Sequence, residues 1–399
     1  MMMTLIRQAD VYSPEHLGKK DIFIGGGKIL KIAGEIHIPG DFGDVTIIDA
    51  DGSICAPGFI DGHVHITGGG GEGGFQNRTP EIQLSHLTTA GITCVIGLLG
   101  TDGTTRSIPE LLAKARGLEA EGISALIYTG AYEVPTRTIT GSARSDIVLI
   151  DKIIGVGEIA VSDHRSSHPS ERELARLISE ARVGGIISGK AGVVHVHFGD
   201  DRTKMEPLFN LFKTIEIPIT QVIPTHLNRN PYLFEDAIKF GKMGGFIDIT
   251  SGIFPYEQDK NPIKPSKAIK TLLDEGVPLS QITLSSDGNG SSPIFNQNGK
   301  LVGLGIGSVK TLWQETMDLV KQEGLDLEKA LCPITRNVAG ALKLSDHKGE
   351  IKEGLDADMV LLTQDLDIHT VICKGRIMVE NKVPKVFGTF EKRGGFAKL

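Results

Sequence analysis

The stretch Ala56–Gly74, APGFIDGHVHITGGGGEGG, decides how the rest of this 399-residue chain is read. Pro57 and Gly58 punctuate the approach, and the apolar run over 59–66 predicts a buried strand. Alternate side chains of a strand share a face, so His63 and His65 point the same way at its end. Two adjacent imidazoles there offer nitrogen ligands to a divalent transition metal, whereas a lone histidine would read as a core residue. The glycine run that follows lacks the Gly-Lys-Ser/Thr of a phosphate-binding loop. It reads instead as a mobile loop that lets substrate and backbone approach closely, with Glu72 its only charged side chain.

Beyond this stretch, apolar β-rich runs recur with helical patterns between them. The spacing predicts strands over 59–66, 93–99, 124–129, 153–159, 193–198, 219–225, 245–250 and 281–286, and helices over 80–90, 108–121, 170–183, 231–242, 266–275 and 309–323. Gly91, Gly122, Gly184 and Gly276 fall where left-handed C-caps would end helices. Eight βα units predict an α/β fold, a (β/α)8 TIM barrel, with its functional groups at the C-terminal strand ends. Short β runs over 21–24, 29–32 and 45–49 resume over 358–362 and 369–379, where Lys374-Gly375 forms a hairpin turn. They predict a small β-sandwich domain built from both termini, 1–56 and 347–399, around a barrel over 57–346.

Composition agrees with a globular chain: 40% hydrophobic, 23% charged. A formal net charge of -7 without a Lys/Arg cluster argues against a nucleic-acid partner. No apolar run is long enough to span a bilayer and the start lacks a long apolar segment, so a cytoplasmic location without membrane contact is expected. Cys55, Cys94, Cys332 and Cys373 are scattered, indicating neither a disulfide framework nor a thiolate metal site.

If the barrel is right, metal-competent side chains should recur at the predicted strand ends. They do: His63 and His65 on the first, Glu158 on the fourth, His197 on the fifth, His226 after the sixth and Asp287 after the eighth. Four imidazoles and two carboxylates exceed one tetrahedral ion and suit two, with one carboxylate bridging. Such a pair turns a shared water into hydroxide near neutral pH and polarises a carbonyl, with Asp287 as the proton shuttle to a leaving amine. The lesser alternative for Asp287 is to cap the turn in which it sits, and His195, deeper in the fifth strand, reads as a core residue. His86, His164 and His168 lie in helix or loop, where solvated or supporting roles are expected.

These residues carry a family resemblance. Pro-Gly-Phe-Ile-Asp-Gly-His63-Val-His65, the fourth-strand carboxylate, two single histidines and Asp287 resemble the amidohydrolase superfamily. Within it, the Glu72 loop, Ser162-Asp163-His164-Arg165-Ser166, Thr225-His226-Leu227-Asn228-Arg229 and Ser285-Ser286-Asp287-Gly288-Asn289-Gly290-Ser291 resemble the isoaspartyl (β-aspartyl) dipeptidases. The resemblance implies two Zn2+ per subunit, held by His63, His65, His197, His226 and Asp287. It also implies a higher homo-oligomer, an octamer, acting on small peptides. Substrate contacts would fall on Glu72 (α-amino group), Thr101 (aspartyl α-carboxylate), Tyr132 (scissile carbonyl), Arg165 and Arg229 (leaving-group carboxylate) and Ser291. Both signs of charge suit a zwitterionic dipeptide, and the guanidinium fork suits a carboxylate. Each such residue alone would read as an ordinary surface, packing or turn residue. One position departs: where the family bridges its metals with a carboxylated lysine, this chain has Glu158, and Lys152 lies at the wrong end of the strand. The rivals are a hydrolase of a cyclic amide or N-acyl amino acid, and a barrel kept as a non-catalytic scaffold.

Overall fold

The computed structural model describes residues 3–40, 43–253, 262–295 and 301–391. The end of the small domain expected over 347–399, and its residues 1–2 and 41–42, lie outside them. Eight parallel strands form the barrel: β1 (Phe59–Val64), β2 (Ile92–Gly97), β3 (Ser124–Thr129), β4 (Ile153–Val161), β5 (Val193–Phe198), β6 (Val222–Thr225), β7 (Ile247–Thr250) and β8 (Ile282–Ser285). β1 to β6 make one sheet in chain order, and β7 pairs with β8. The sheet curls until its two gaps are bridged: Thr225 Oγ1 donates to Asp248 Oδ2 at 2.7 Å between β6 and β7, and His65 N donates to Gly288 O at 2.9 Å between β8 and β1.

The helices cover the outside because their apolar stripes match the strands beneath. α1 (Leu84–Thr88), α2 (Ile108–Glu121), α3 (Ala143–Leu149), α4 (Glu171–Ser188), α5 (Glu206–Thr214), α6 (Pro231–Lys242), α7 (Pro265–Asp274) and α8 (Thr311–Lys321) follow in order. Ser107 with Glu110 and Ser170 with Glu173 form capping boxes, which start α2 and α4 sharply. Leu111, Ala115 and Leu118 of α2 and Leu174, Ile178 and Ala181 of α4 are buried against the sheet. Inside, Ile60, Ile96, Tyr128, Ile154 and Ile223 fill the N-terminal half of the barrel, stoppered by Val338, Ala339 and Leu342.

Two local expectations are corrected, and two short helices are added to those the sequence indicates. The helix over 80–90 shrinks to α1, because Ile82 N donates to Ile66 O at 3.1 Å and holds the preceding segment to β1. Gly184 does not end α4. It lies where α3 crosses, so close that a Cβ would come 3.1 Å from that of Ile147, and the cap is Gly189 at φ 74°. α3 and α5, of 7 and 9 residues, are too short for a clear helical period in sequence.

Among the described residues the termini build a separate nine-stranded sheet. Ile54–Pro57 pairs antiparallel with Met359–Leu362, so the two ends of the chain share one ladder. On its far side Met3–Tyr12, His16–Gly25 and Lys28–Ala33 continue the sheet around a core that includes Ile6, Val11, Ile22, Ile24, Met359 and Leu361. Because Ile54–Pro57 runs through Gly58 into β1, this module is tied directly to the strand that bears His63. The four cysteines are buried and unbonded. Among the described residues no helix is long and apolar enough to cross a membrane.

Candidate metal centre

The C-terminal strand ends converge on one mouth. His63 and His65 leave β1 on the same face, with their rings 5.4 Å apart. β4 aims Glu158 inward through a bulge: Val194 pairs with Val156 and Val196 with Ile159, so Gly157 and Glu158 together oppose His195. Gly157 is required there, since a Cβ would lie 2.8 Å from His195 Cβ. His226 and Asp287 follow β6 and β8 with φ of 62° and 54°, a left-handed backbone that non-glycine residues adopt at some energetic cost. That turn swings both side chains back over the barrel axis.

Two overlapping ligand groups result, His63–Glu158–His226 and His63–His65–Asp287, each of which could hold a metal ion. Glu158 Oε1 lies 2.8 Å from both His197 Nδ1 and His226 Nε2, and its Oε2 is 3.6 Å from His63 Nε2. Asp287 Oδ1 lies 3.3 Å from His63 Nε2 and 3.1 Å from His65 Nε2. His63 Nε2 is buried without a hydrogen bond among the described residues and stands between the two carboxylates. Nitrogen and carboxylate donors in this arrangement suit a divalent transition metal.

The electrostatics call for a cation. Burial works against ionising Glu158 and Asp287, but the surrounding histidines hold both well below the usual carboxylate range, and the Asp287 side chain keeps 32% of its surface open to the mouth. Burial pulls the His63 imidazole down, yet Glu158 and Asp287 outweigh it and lift it to about 9, so without a metal a proton there supplies the charge. Burial takes His226 down to about 3, leaving it neutral, as a ligand must be.

Supporting partners orient the ligands. Asp163 accepts from His197 Nε2 at 2.8 Å and from Arg165 Nη2 at 2.8 Å. Thr250 Oγ1 lies 2.8 Å from His226 Nδ1. Asp61 accepts from the backbone of His63 and Ser286 at 3.3 and 3.1 Å, tying β1 to the end of β8. Asp248 accepts from Thr225, Thr283 and Ser285, one layer below. None of these four side chains stands out as a candidate by residue type alone; only Asp163, two residues before Arg165 in a charged loop, gives a sequence signal.

The mouth carries the remaining candidates. Tyr132 OH lies 2.9 Å from His197 Nδ1, and burial, reinforced by Glu158, pushes its phenol well above 10. Arg165 stacks over its ring at 5.4 Å and meets Glu72 Oε1 at 3.3 Å, and Thr101 donates to the same oxygen at 2.8 Å. The Arg229 charge opposes the rise of the Tyr132 phenol, and its Nε is buried without a hydrogen-bond partner among the described residues. Ser291 stands against Gly70 of the glycine loop.

The glycine loop is anchored at its base. Buried Arg106 donates to the carbonyls of Thr67, Gly69 and Thr79, and Thr79 Oγ1 donates to Asn289 O at 2.7 Å. Gly68, at φ 88°, lets the turn pass so near Thr79 that a Cβ would lie 2.2 Å from its carbonyl oxygen. The stretch is glycine-rich because it is tightly packed. His195 is buried as expected of a core residue, stacked on Tyr128. His86, His164 and His168 are exposed.

Comparison with known proteins agrees with this geometry. The crystal structure of β-aspartyl dipeptidase from Fervidobacterium islandicum AW-1, in complex with a β-Asp-Leu dipeptide, is 45% identical, covering 98% of this chain and 99% of that one at a TM-score of 0.90. Imidazolonepropionase from Thermoplasma volcanium is 25% identical over 381 residues, 88% of this chain and 85% of that one. Dihydropyrimidinase from Brevibacillus agri, 16% identical over 97% of each chain with a TM-score of 0.66, shares the fold alone. The model of the amidohydrolase family matches residues 54–378. The chain belongs to the amidohydrolase family, and it is a hydrolase.

Proposed function

We propose that the protein is a binuclear metallo-dipeptidase, with zinc as its resident ion, that hydrolyses β-aspartyl dipeptides. What carries the reading is the juxtaposition of two ligand groups sharing His63 with a mouth of mixed charge, Glu72 beside Arg165 and Thr101. His63, His65, Glu158, His197, His226 and Asp287 would hold the ions, with Glu158 spanning them. When bound, the pair acidifies water and polarises the scissile carbonyl.

The side chains supply the rest. Glu72 takes the free amino group, Thr101 the aspartyl α-carboxylate, and Arg165 and Arg229 the leaving-group carboxylate through their planar forks; Ser291 lines the same mouth. Tyr132, whose proton is held firmly at neutral pH, donates a hydrogen bond to the carbonyl oxygen as charge develops on it. Asp287 Oδ1 faces the histidines while part of the side chain opens to the mouth, a position from which it can take the water's proton and deliver it to the leaving amine. A cyclic amide would offer no amino group to Glu72, which disfavours the substrate class of the more distant relatives. The family resemblance further supports a cytoplasmic homo-oligomer.

Turnover of β-Asp-Leu against α-Asp-Leu tests the assignment. Turnover of the β-linked peptide at least about 100-fold faster, roughly 3 kcal/mol of discrimination, is expected. Comparable rates for the two would remove the isoaspartyl assignment and leave the metal chemistry standing.

A further inference from the structure

We propose that His195 is a positioning residue for the metal centre, accepting a hydrogen bond from His63 Nδ1 and so fixing the tautomer in which His63 Nε2 is free to bind one of the two ions. This rests on the binuclear reading above. The two ring nitrogens are 2.9 Å apart, both rings are buried, and they meet edge to face with centroids 5.0 Å apart.

Two imidazoles in such contact share one hydrogen, and where it sits decides the chemistry. If His195 Nε2 donated, His63 would carry its own hydrogen on Nε2, the atom standing between Glu158 and Asp287, and no lone pair would remain for a cation. If His63 Nδ1 donates, that lone pair is free. His195 then carries its hydrogen on Nδ1, which is buried and has no partner among the described residues. The ring lines a cavity of about 10 Å3 shared with Tyr128, Asp248 and Thr283, room for one water as acceptor. The fold also makes room for His195 specifically: Gly157 lies against its Cβ at 2.8 Å, and the β4 bulge opposes it with two residues.

The test is zinc affinity of the full chain, measured by chelator competition on apo-protein, for wild type, H195Q, H195N and H195F. The glutamine amide oxygen reaches the position of Nε2, whereas the asparagine amide reaches only that of Nδ1. H195Q should therefore bind both ions within about threefold of wild type, while H195N and H195F should lose one of the two ions by roughly 10- to 100-fold. A merely space-filling role would not separate glutamine from asparagine. Wild-type affinity in H195F, or a loss in H195Q equal to that in H195N, would overturn the proposal. If H195F does not fold, the glutamine–asparagine pair decides it alone. A wild-type chain that binds no pair of ions would instead remove the binuclear reading, and this proposal with it.

Discussion

Glu158 touches both halves of the donor set with one carboxylate, 2.8 Å from His197 and His226 and 3.6 Å from His63. A lysine carbamate in that place would carry the same charge on two oxygens but would have to form from carbon dioxide. Here Lys152 is held 2.5 Å from Glu119, ahead of β4, so it cannot supply the bridge. The shorter reach of glutamate is met by the bulge at Gly157, which brings the backbone itself inward. Zinc reconstitution of the apo-protein should thus proceed to the same extent with and without bicarbonate, followed by activity and metal content; a strong bicarbonate requirement would exclude Glu158 as the bridge. E158Q keeps the shape and removes the charge, leaving Asp287 as the one anionic ligand beside the neutral imidazoles. It should reduce bound zinc to one or fewer per chain and activity by roughly 100-fold or more.

At the scale of elements, what was legible in the sequence is what local chemistry specifies. Ser107 and Asn230 cap α2 and α6, which begin and end as the sequence predicts, and β3 and β5 match to the residue because turn residues bound unbroken apolar runs. The six candidate ligands were legible because each sits at the end of such a run. Less legible was whatever depends on a partner distant in sequence: Asp248 beneath Thr225 and Thr283, the crossing of α3 that keeps Gly184 inside α4, and the clamp of Arg106 on the glycine loop. That clamp has a consequence for binding, because the same loop carries Glu72. R106M would leave the Thr67 and Thr79 carbonyls without the Arg106 donor, the Gly69 carbonyl keeping Thr79 N, and should destabilise the chain by about 2–3 kcal/mol. It should also raise KM for β-Asp-Leu several-fold while zinc content stays at two per chain, since no ligand lies beyond His65 in that segment. An unchanged KM in a destabilised R106M would mean that Glu72 is held in place by Thr101 and Arg165 alone.

For the whole molecule, the candidate ligands come from the ends of β1, β4, β5, β6 and β8, and pairs such as His65 and Asp287 are 222 residues apart in sequence. Two of the contacts that curl the sheet into a barrel, at Gly288 and between Thr225 and Asp248, lie directly beside these ligands. Ligands that bind only the folded state stabilise it by mass action, about 2.7 kcal/mol for each ion at one hundred times its dissociation constant. Two ions would contribute roughly 5 kcal/mol, which corresponds to a rise in Tm of about 10 °C for a large domain. Chelation should therefore lower Tm by about that amount, and stepwise return of zinc should restore it in two parts. The groups share His63, but only one includes Asp287 at the open mouth, so the second equivalent should restore the smaller part of Tm and most of the activity. Full recovery of Tm and activity with a single equivalent would remove the binuclear reading.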